Sequence, residues 1–153
     1  MDWTVYLAGE IHSDWRSELA KAVADAELPI ELVGPVTDHA ASDSCGAKIL
    51  GKESNPFWHD HKGAGVNAIR TQTNLRRADI VVVKFGEKYR QWNAAFDAGF
   101  VAALGKPLIV VQPPEIQHAL KEVDAAACAV TESIDQVVEV LRYAMQKESW
   151  QGE

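Results

Sequence analysis

The chain has 153 residues and a formal charge of −7, with 47% hydrophobic and 24% charged residues. That is enough apolar material for one core, and the acidic balance argues against a nucleic-acid polymer or an anionic membrane surface as partner. No basic-then-apolar leader opens the chain, no apolar run approaches the roughly 18 residues of a membrane span, and two cysteines make no disulfide framework, so a cytoplasmic protein with reduced thiols is expected.

In chain order, strands and helices alternate. Residues 3–8 (WTVYLA) predict a short buried strand ended by Gly9. Residues 13–26 predict a helix, with Trp15, Leu19, Ala22, Val23 and Ala26 at helical spacing and Ser13 or Asp14 as its cap. Residues 30–34 (IELVG) read as a second strand. Residues 35–63 carry Pro35, Gly46, Gly51, Pro56 and Gly63 among many polar side chains, which predicts a long loop of functional kind, a lid over the site. A helix is expected over 64–78, closed by Arg76 and Arg77 against its dipole.

Residues 79–85 (DIVVVKF) are the clearest buried strand. A helix follows in the stretch QWNAAFDAGFVAALGKPLIVV (91–111), and its end runs into a strand at 107–112. Residues 114–123 predict a short helix with Pro114 at its start, 126–131 a weaker strand holding Cys128, and 133–147 a last helix whose Ser133 and Gln136 match a capping box. The expected architecture is therefore α/β: a doubly wound, five-stranded parallel sheet of flavodoxin-like order 2-1-3-4-5 with helices on both faces, in a single domain.

That topology says where a ligand sits. Open α/β sheets bind ligands beyond the carboxyl ends of the strands, where the strand order reverses, here between strands one and three. The loops at that crevice are residues 8–14 (AGEIHSD) and 86–93 (GEKYRQWN), and Asp97 lies early in the helix leaving the second. Asp97 is the one charged residue between Arg90 and Lys106, so its carboxylate needs a reason. Gly9 stands alone, which is neither a GxGxxG nor a phosphate-cradling loop, and a tight turn accounts for it equally well. Ser13 and Asp14 are accounted for by capping. His59 and His61 make an HxH pair of low specificity for zinc, so no metal is expected. Trp92 and Trp58, read in polar loops, offer indole faces to a nucleobase, whereas Trp3 and Trp15 read as packing residues. Asn93 closes the second crevice loop and joins Gly9, His12, Trp92 and Trp58 as a ligand-binding candidate.

Three stretches, VYLAGEIHSDW (5–15), ADIVVVKFG (78–86) and NAAFDAGFVAALGKPLIVV (93–111), resemble the YtoQ family, a branch similar to the nucleoside 2-deoxyribosyltransferases. The likeness covers essentially the whole chain, including FWHDHKGAG (57–65) and HALKEVDAAA (118–127). The resemblance implies a flavodoxin-like fold and an enzyme acting on the N-glycosidic bond of a nucleoside or nucleotide, by transfer or hydrolysis and without a cofactor. It further implies that Asp97 is the nucleophile, Tyr6 its partner near the sugar, and Gly9 a close-approach glycine of the pocket. Glu10 and His12 are the candidates for protonating the base, and a hydrogen bond from Tyr6 is expected to keep Asp97 ionised. The wider family has Glu at the Asp97 position and Asp where this chain has Thr71. A homo-oligomer is expected, since the resembling transferases complete their pockets with a neighbouring subunit. A non-catalytic nucleotide-binding protein of the same fold is the alternative.

Overall fold

A computed structural model describes residues 2–87 and 91–146 of the chain. The valine-rich runs form five parallel strands: β1 (Trp3–Gly9), β2 (Ile30–Val33), β3 (Ile80–Lys84), β4 (Leu108–Val111) and β5 (Ala129–Thr131). Their order is β2-β1-β3-β4-β5, as the alternation of elements predicts. The helices are α1 (Trp15–Asp25), α2 (His39–Leu50), α3 (Pro56–Arg77), α4 (Trp92–Ala103), α5 (Lys121–Ala126) and α6 (Ile134–Ala144). Among the described residues no helix is long and apolar enough to cross a membrane.

Alternation along β1 sends its side chains to two separate cores. Val5 and Leu7 pack with Trp15, Leu19 and Val23 of α1 and Val137 and Leu141 of α6. Tyr6 and Ala8 face the opposite way, toward Leu75 of α3 and Ala94, Ala98 and Val101 of α4. Residues 80–83 of β3 and all of β4 are buried on both sides, which is why they run as unbroken valines, isoleucines and leucines, with Lys84 closing β3 at the crevice end of the sheet.

The segment 35–63 is not a loop. It folds as α2 and the first turns of α3, a helical hairpin. Asp38 caps α2 by accepting the Ala41 N–H at 3.0 Å, and Asn55 caps α3 by accepting the Phe57 N–H at 2.9 Å, with Pro56 at the first helical position. The glycines that read as breakers are packing residues. A Cβ on Gly46 would lie 2.3 Å from the Lys62 carbonyl carbon, and one on Gly63 would lie 2.9 Å from the Asp43 carbonyl oxygen. Their absence of side chain lets the two helices touch.

Smaller differences have local causes. Ser13 does not cap α1, because its hydroxyl donates to the Glu10 carboxylate at 2.6 Å, and Asp14 occupies the cap position without a side-chain bond. The short helix expected over 114–123 splits into a single 3-10 turn (Pro114–Ile116) and α5. Trp15 is buried as a packing residue, but Trp3 is 36% exposed at the start of β1, and Cys128 lies exposed just before β5. The capping box at α6 forms with a shift: Ser133 Oγ accepts the Gln136 N–H at 3.3 Å, while Gln136 Oε1 accepts the N–H of Glu132 at 2.7 Å. The expected end of that helix at Lys147, and residues 88–90 of the second crevice loop, lie outside the described residues.

Candidate active site

At its carboxyl end β1 turns sharply at Gly9, whose φ is +97°. A Cβ there would sit 2.1 Å from the Lys84 carbonyl oxygen, so glycine is dictated by the closeness of β1 to β3 before any ligand is considered. The next residue, Glu10, donates its N–H to that same Lys84 carbonyl at 2.9 Å. Its buried carboxylate accepts the Ser13 hydroxyl and the backbone N–H of His12. Burial works to raise the Glu10 pKa, but these hydrogen bonds, with the Lys84 charge nearby, hold it below the usual carboxylate value. Glu10 is therefore an ionised fastener of its loop at neutral pH, unsuited to donating a proton.

Arg16 fixes the same turn from α1. Its guanidinium donates to the carbonyl oxygens of Leu7 and Gly9 at 3.2 Å and of Glu10 at 2.6 Å, and it lies 4.6 Å from the Trp15 ring centre. The facing loop is tied by Gln91, whose side-chain oxygen accepts the Gly86 N–H at 3.0 Å. Gln91 takes a left-handed conformation, φ +46°, to start α4.

Asp97 is partly buried on α4, on the face of the sheet that carries Tyr6. Burial pushes its pKa up from 3.8 to about 6. Thr71 of α3, and not Asp97 as expected, is the side chain whose hydrogen bonding acts on the Tyr6 hydroxyl. Burial, chiefly, raises the Tyr6 pKa, and the Asp97 charge adds to this; the Thr71 bond and the charges of Arg70 and Arg16 act against it. Tyr6, Thr71, Arg70 and Asp97 thus form one electrostatic group on the α3–α4 face of the sheet, centred on the middle of β1.

A second group lies around the two loops. A cleft of about 310 Å³ is lined by Glu10, His12, Ser13, Lys84, Gly86 and Gln112, among others, and neither Asp97 nor Tyr6 lines it. The crevice is thus divided: Glu10 and His12 face the cleft, whereas Asp97 and Tyr6 belong to the α3–α4 side. His12 also stacks on His39 at the start of α2, ring centres 5.3 Å apart, which joins the helical hairpin to the crevice loop.

The remaining candidates are placed as follows. Trp92 and Asn93 are exposed residues opening α4, with Trp92 at 72%. Trp58, 52% exposed, belongs to an aromatic group in the first turns of α3, edge-on to Phe57 and His61. Both tryptophans are helical and not in loops. His59 pairs with Asp60 at 3.4 Å, and among the described residues no three His, Cys, Asp or Glu side chains converge as a metal site. Sequence reasoning passed over Lys84, Gln112, Arg16 and Arg70. The signal for the first two was present, since each stands at the carboxyl end of a central strand.

A family model described as nucleoside 2-deoxyribosyltransferase YtoQ matches residues 6–145, which include the whole of this site. The chain belongs to this family. A YtoQ protein of Bacillus subtilis (strain 168) is 42% identical over 148 residues, covering 97% of this chain and 100% of that protein. Two solved structures share the fold of this YtoQ-family chain. A conserved protein from Enterococcus faecalis V583 superposes with a TM-score of 0.67 at 15% identity, covering 95% of this chain and 100% of that one. A 2-deoxyribosyltransferase from Bacillus psychrosaccharolyticus gives 0.56 at 18% identity, covering 90% and 95%.

Proposed function

We propose that this YtoQ-family chain acts on the N-glycosidic bond of a nucleoside or nucleotide, with Asp97 as nucleophile. The observation that carries the reading is Asp97 itself: a desolvated carboxylate with pKa about 6, beside Tyr6 at the topological switch point. Desolvation leaves a carboxylate ionised at neutral pH yet poorly stabilised, which suits attack on a developing cation. The carboxylate oxygen bonds to the anomeric carbon as the C1′–N bond breaks, and the electron pair leaves with the base, which takes up a proton. Because Glu10 is held ionised, the proton comes from His12 or solvent. A second base or water then attacks C1′ and releases the Asp97 carboxylate. No cofactor takes part.

Incubation with nucleosides and their 5′-monophosphates, followed by chromatography of free base, tests the reading. Wild type releases base and Asp97→Asn does not. Base released equally by both would remove Asp97 from the reaction. A non-catalytic nucleotide-binding role is favoured by one observation, the Tyr6 hydroxyl being engaged by Thr71 and not by Asp97. In that case both proteins bind nucleotide and neither releases base.

Self-association belongs to the same reading. Ile69, Trp92 and Phe96 are 72%, 72% and 67% exposed on the helices that carry the site, a large apolar display for a monomer. Light scattering at micromolar concentration should give at least a dimer.

A further inference from the structure

The cleft of about 310 Å³ at the strand ends, which neither Asp97 nor Tyr6 lines, is short of free hydrogen-bond donors. In folds of this kind an anion is ordinarily held there by backbone N–H groups left open at the turns into helices. Here those groups are taken. The N–H of Glu10 goes to the Lys84 carbonyl at 2.9 Å, that of Phe85 to the Val111 carbonyl at 2.8 Å, and that of Gln112 to the Thr131 carbonyl at 2.9 Å. The Gly86 N–H goes to Gln91 Oε1 at 3.0 Å and the Glu132 N–H to Gln136 Oε1 at 2.7 Å. At the turn into α1 the chain supplies its own anion, because the Glu10 carboxylate accepts the His12 N–H and the Ser13 hydroxyl.

What the cleft has open is acceptors. Gln112, 4% exposed, donates from Nε2 to Asp124 Oδ2 at 2.8 Å, and this bond fixes the amide, since a flipped one would set two oxygens against each other. Its Oε1 is buried without a hydrogen-bond partner, which is destabilising until a donor meets it. Among the described residues the lining carries three carboxylates, those of Glu10, Glu87 and Glu132, against one ammonium, that of Lys84. Phe85, Val111 and Pro113 give it an apolar wall. Its volume stands at the small end of ligand sites, which run upward from about 300 Å³. No three His, Cys, Asp or Glu side chains converge among the described residues, so the cleft suits an organic cation and not a bare metal ion.

We infer that this cleft is a second ligand site, separate from Asp97, which takes a small organic cation: an ammonium or guanidinium group on a short apolar stem. The N–H donors of the cation meet Gln112 Oε1 and the Glu10 carboxylate. The stem lies along Phe85, Val111 and Pro113, and the exposed carboxylates of Glu87 and Glu132 draw the charge in.

Calorimetry of the whole chain with n-butylammonium, n-butylguanidinium, 1-butanol and butyrate tests the assignment. Both cations should bind with Kd of about 1 mM, and the alcohol and the acid about 10-fold more weakly or worse. Lys84→Met removes the opposing charge and should tighten cation binding several-fold, whereas Glu132→Gln should weaken it several-fold, less so at high salt. Gln112→Met should cost about 10-fold. That variant also deprives Asp124 of its partner, so it is read beside Glu132→Gln, whose side chain is exposed. Asp97→Asn should bind both cations as wild type does.

Three results with wild type alone overturn the inference: butyrate preferred to the cations, 1-butanol bound as tightly as n-butylammonium, or neither cation bound at millimolar concentration. Cation binding lost in Asp97→Asn and kept in Glu132→Gln overturns it as well, because the ligand then sits on the other side of the crevice.

Discussion

Thr71 is the side chain whose hydrogen bonding holds the Tyr6 pKa down against burial, while Asp97 acts on Tyr6 through charge alone. The pairing links β1 to α3, with Tyr6 1% exposed and Thr71 partly buried. Removing the Thr71 hydroxyl leaves that of buried Tyr6 without this partner, at a cost of about 1–2 kcal/mol, and removing the Tyr6 hydroxyl costs less because Thr71 is only partly buried. Tyr6→Phe and Thr71→Val should therefore each lower stability in urea, and the double variant should lose less than the two together. Strict additivity would show that the bond does not contribute.

Asp97 should be a site at which function opposes stability. Its folded pKa of about 6 lies above the ordinary 3.8, so folding favours the protonated form. The sign follows: the ionised carboxylate destabilises the fold, by little near pH 4 and fully above about pH 6. At about 1.4 kcal/mol per pKa unit the cost at pH 7 is on the order of 3 kcal/mol. Asp97→Asn should raise the melting temperature at pH 7 and lose that advantage at pH 4, while turnover collapses by several powers of ten. An Asn variant that is less stable at pH 7 would mark Asp97 as a structural acid.

The same pKa sets the acid limb of activity. If the carboxylate attacks as the anion, kcat/KM for the free enzyme should rise with pH and level off above about 6. Asp97→Glu tests whether the backbone has adjusted to the shorter acid. A pocket shaped for Asp loses activity with the longer side chain, and a pocket keeping the wider family's spacing gains it. A pH profile flat from 5 to 8 would exclude this nucleophile.

Sheet order was legible because it rests on strong signals, the valine run at 80–84 and the alternation of strands with helices. That Asp97 lies on α4, the helix leaving the second crevice loop, followed from that topology. The α2–α3 hairpin was not legible, because glycine carries two opposed meanings: Gly46 and Gly63 mark close helix contact here, while the same residue type breaks helices elsewhere. The division of the crevice was hidden for another reason. Whether Glu10 shares a pocket with Asp97 depends on how the chain turns at Gly9 and how Ser13 and His12 bind the Glu10 carboxylate, and no periodicity encodes that.

Glu10 should behave oppositely to Asp97. Its folded pKa lies below the ordinary 4.5, so it adds stability above that value, and the gain is lost as pH falls through the depressed pKa. Glu10→Gln keeps one acceptor and loses the charge, which should cost about 1–2 kcal/mol at pH 7 and much less at pH 3. The acid limb assigned to Asp97 should stay where it is. Movement of that limb in Glu10→Gln would mean that Glu10 is itself the titrating catalytic group.

Gly9 and Gly51 form a matched pair for the last prediction. Both have φ +97°, a conformation that costs an L-residue about 1–3 kcal/mol. A Cβ on Gly51 would meet nothing within 4 Å, whereas one on Gly9 would meet the Lys84 carbonyl oxygen at 2.1 Å. Gly51→Ala should therefore show backbone strain alone. Gly9→Ala should add a backbone clash that only separation of β1 from β3 relieves, breaking the Glu10 N–H bond to Lys84 and disordering the loop that carries His12. The expected result is a much larger loss of stability at Gly9 than at Gly51, read by thermal melting without ligand. If the two losses are equal and only ligand binding suffers at Gly9, then Gly9 is there for the ligand's approach and the fold does not require it.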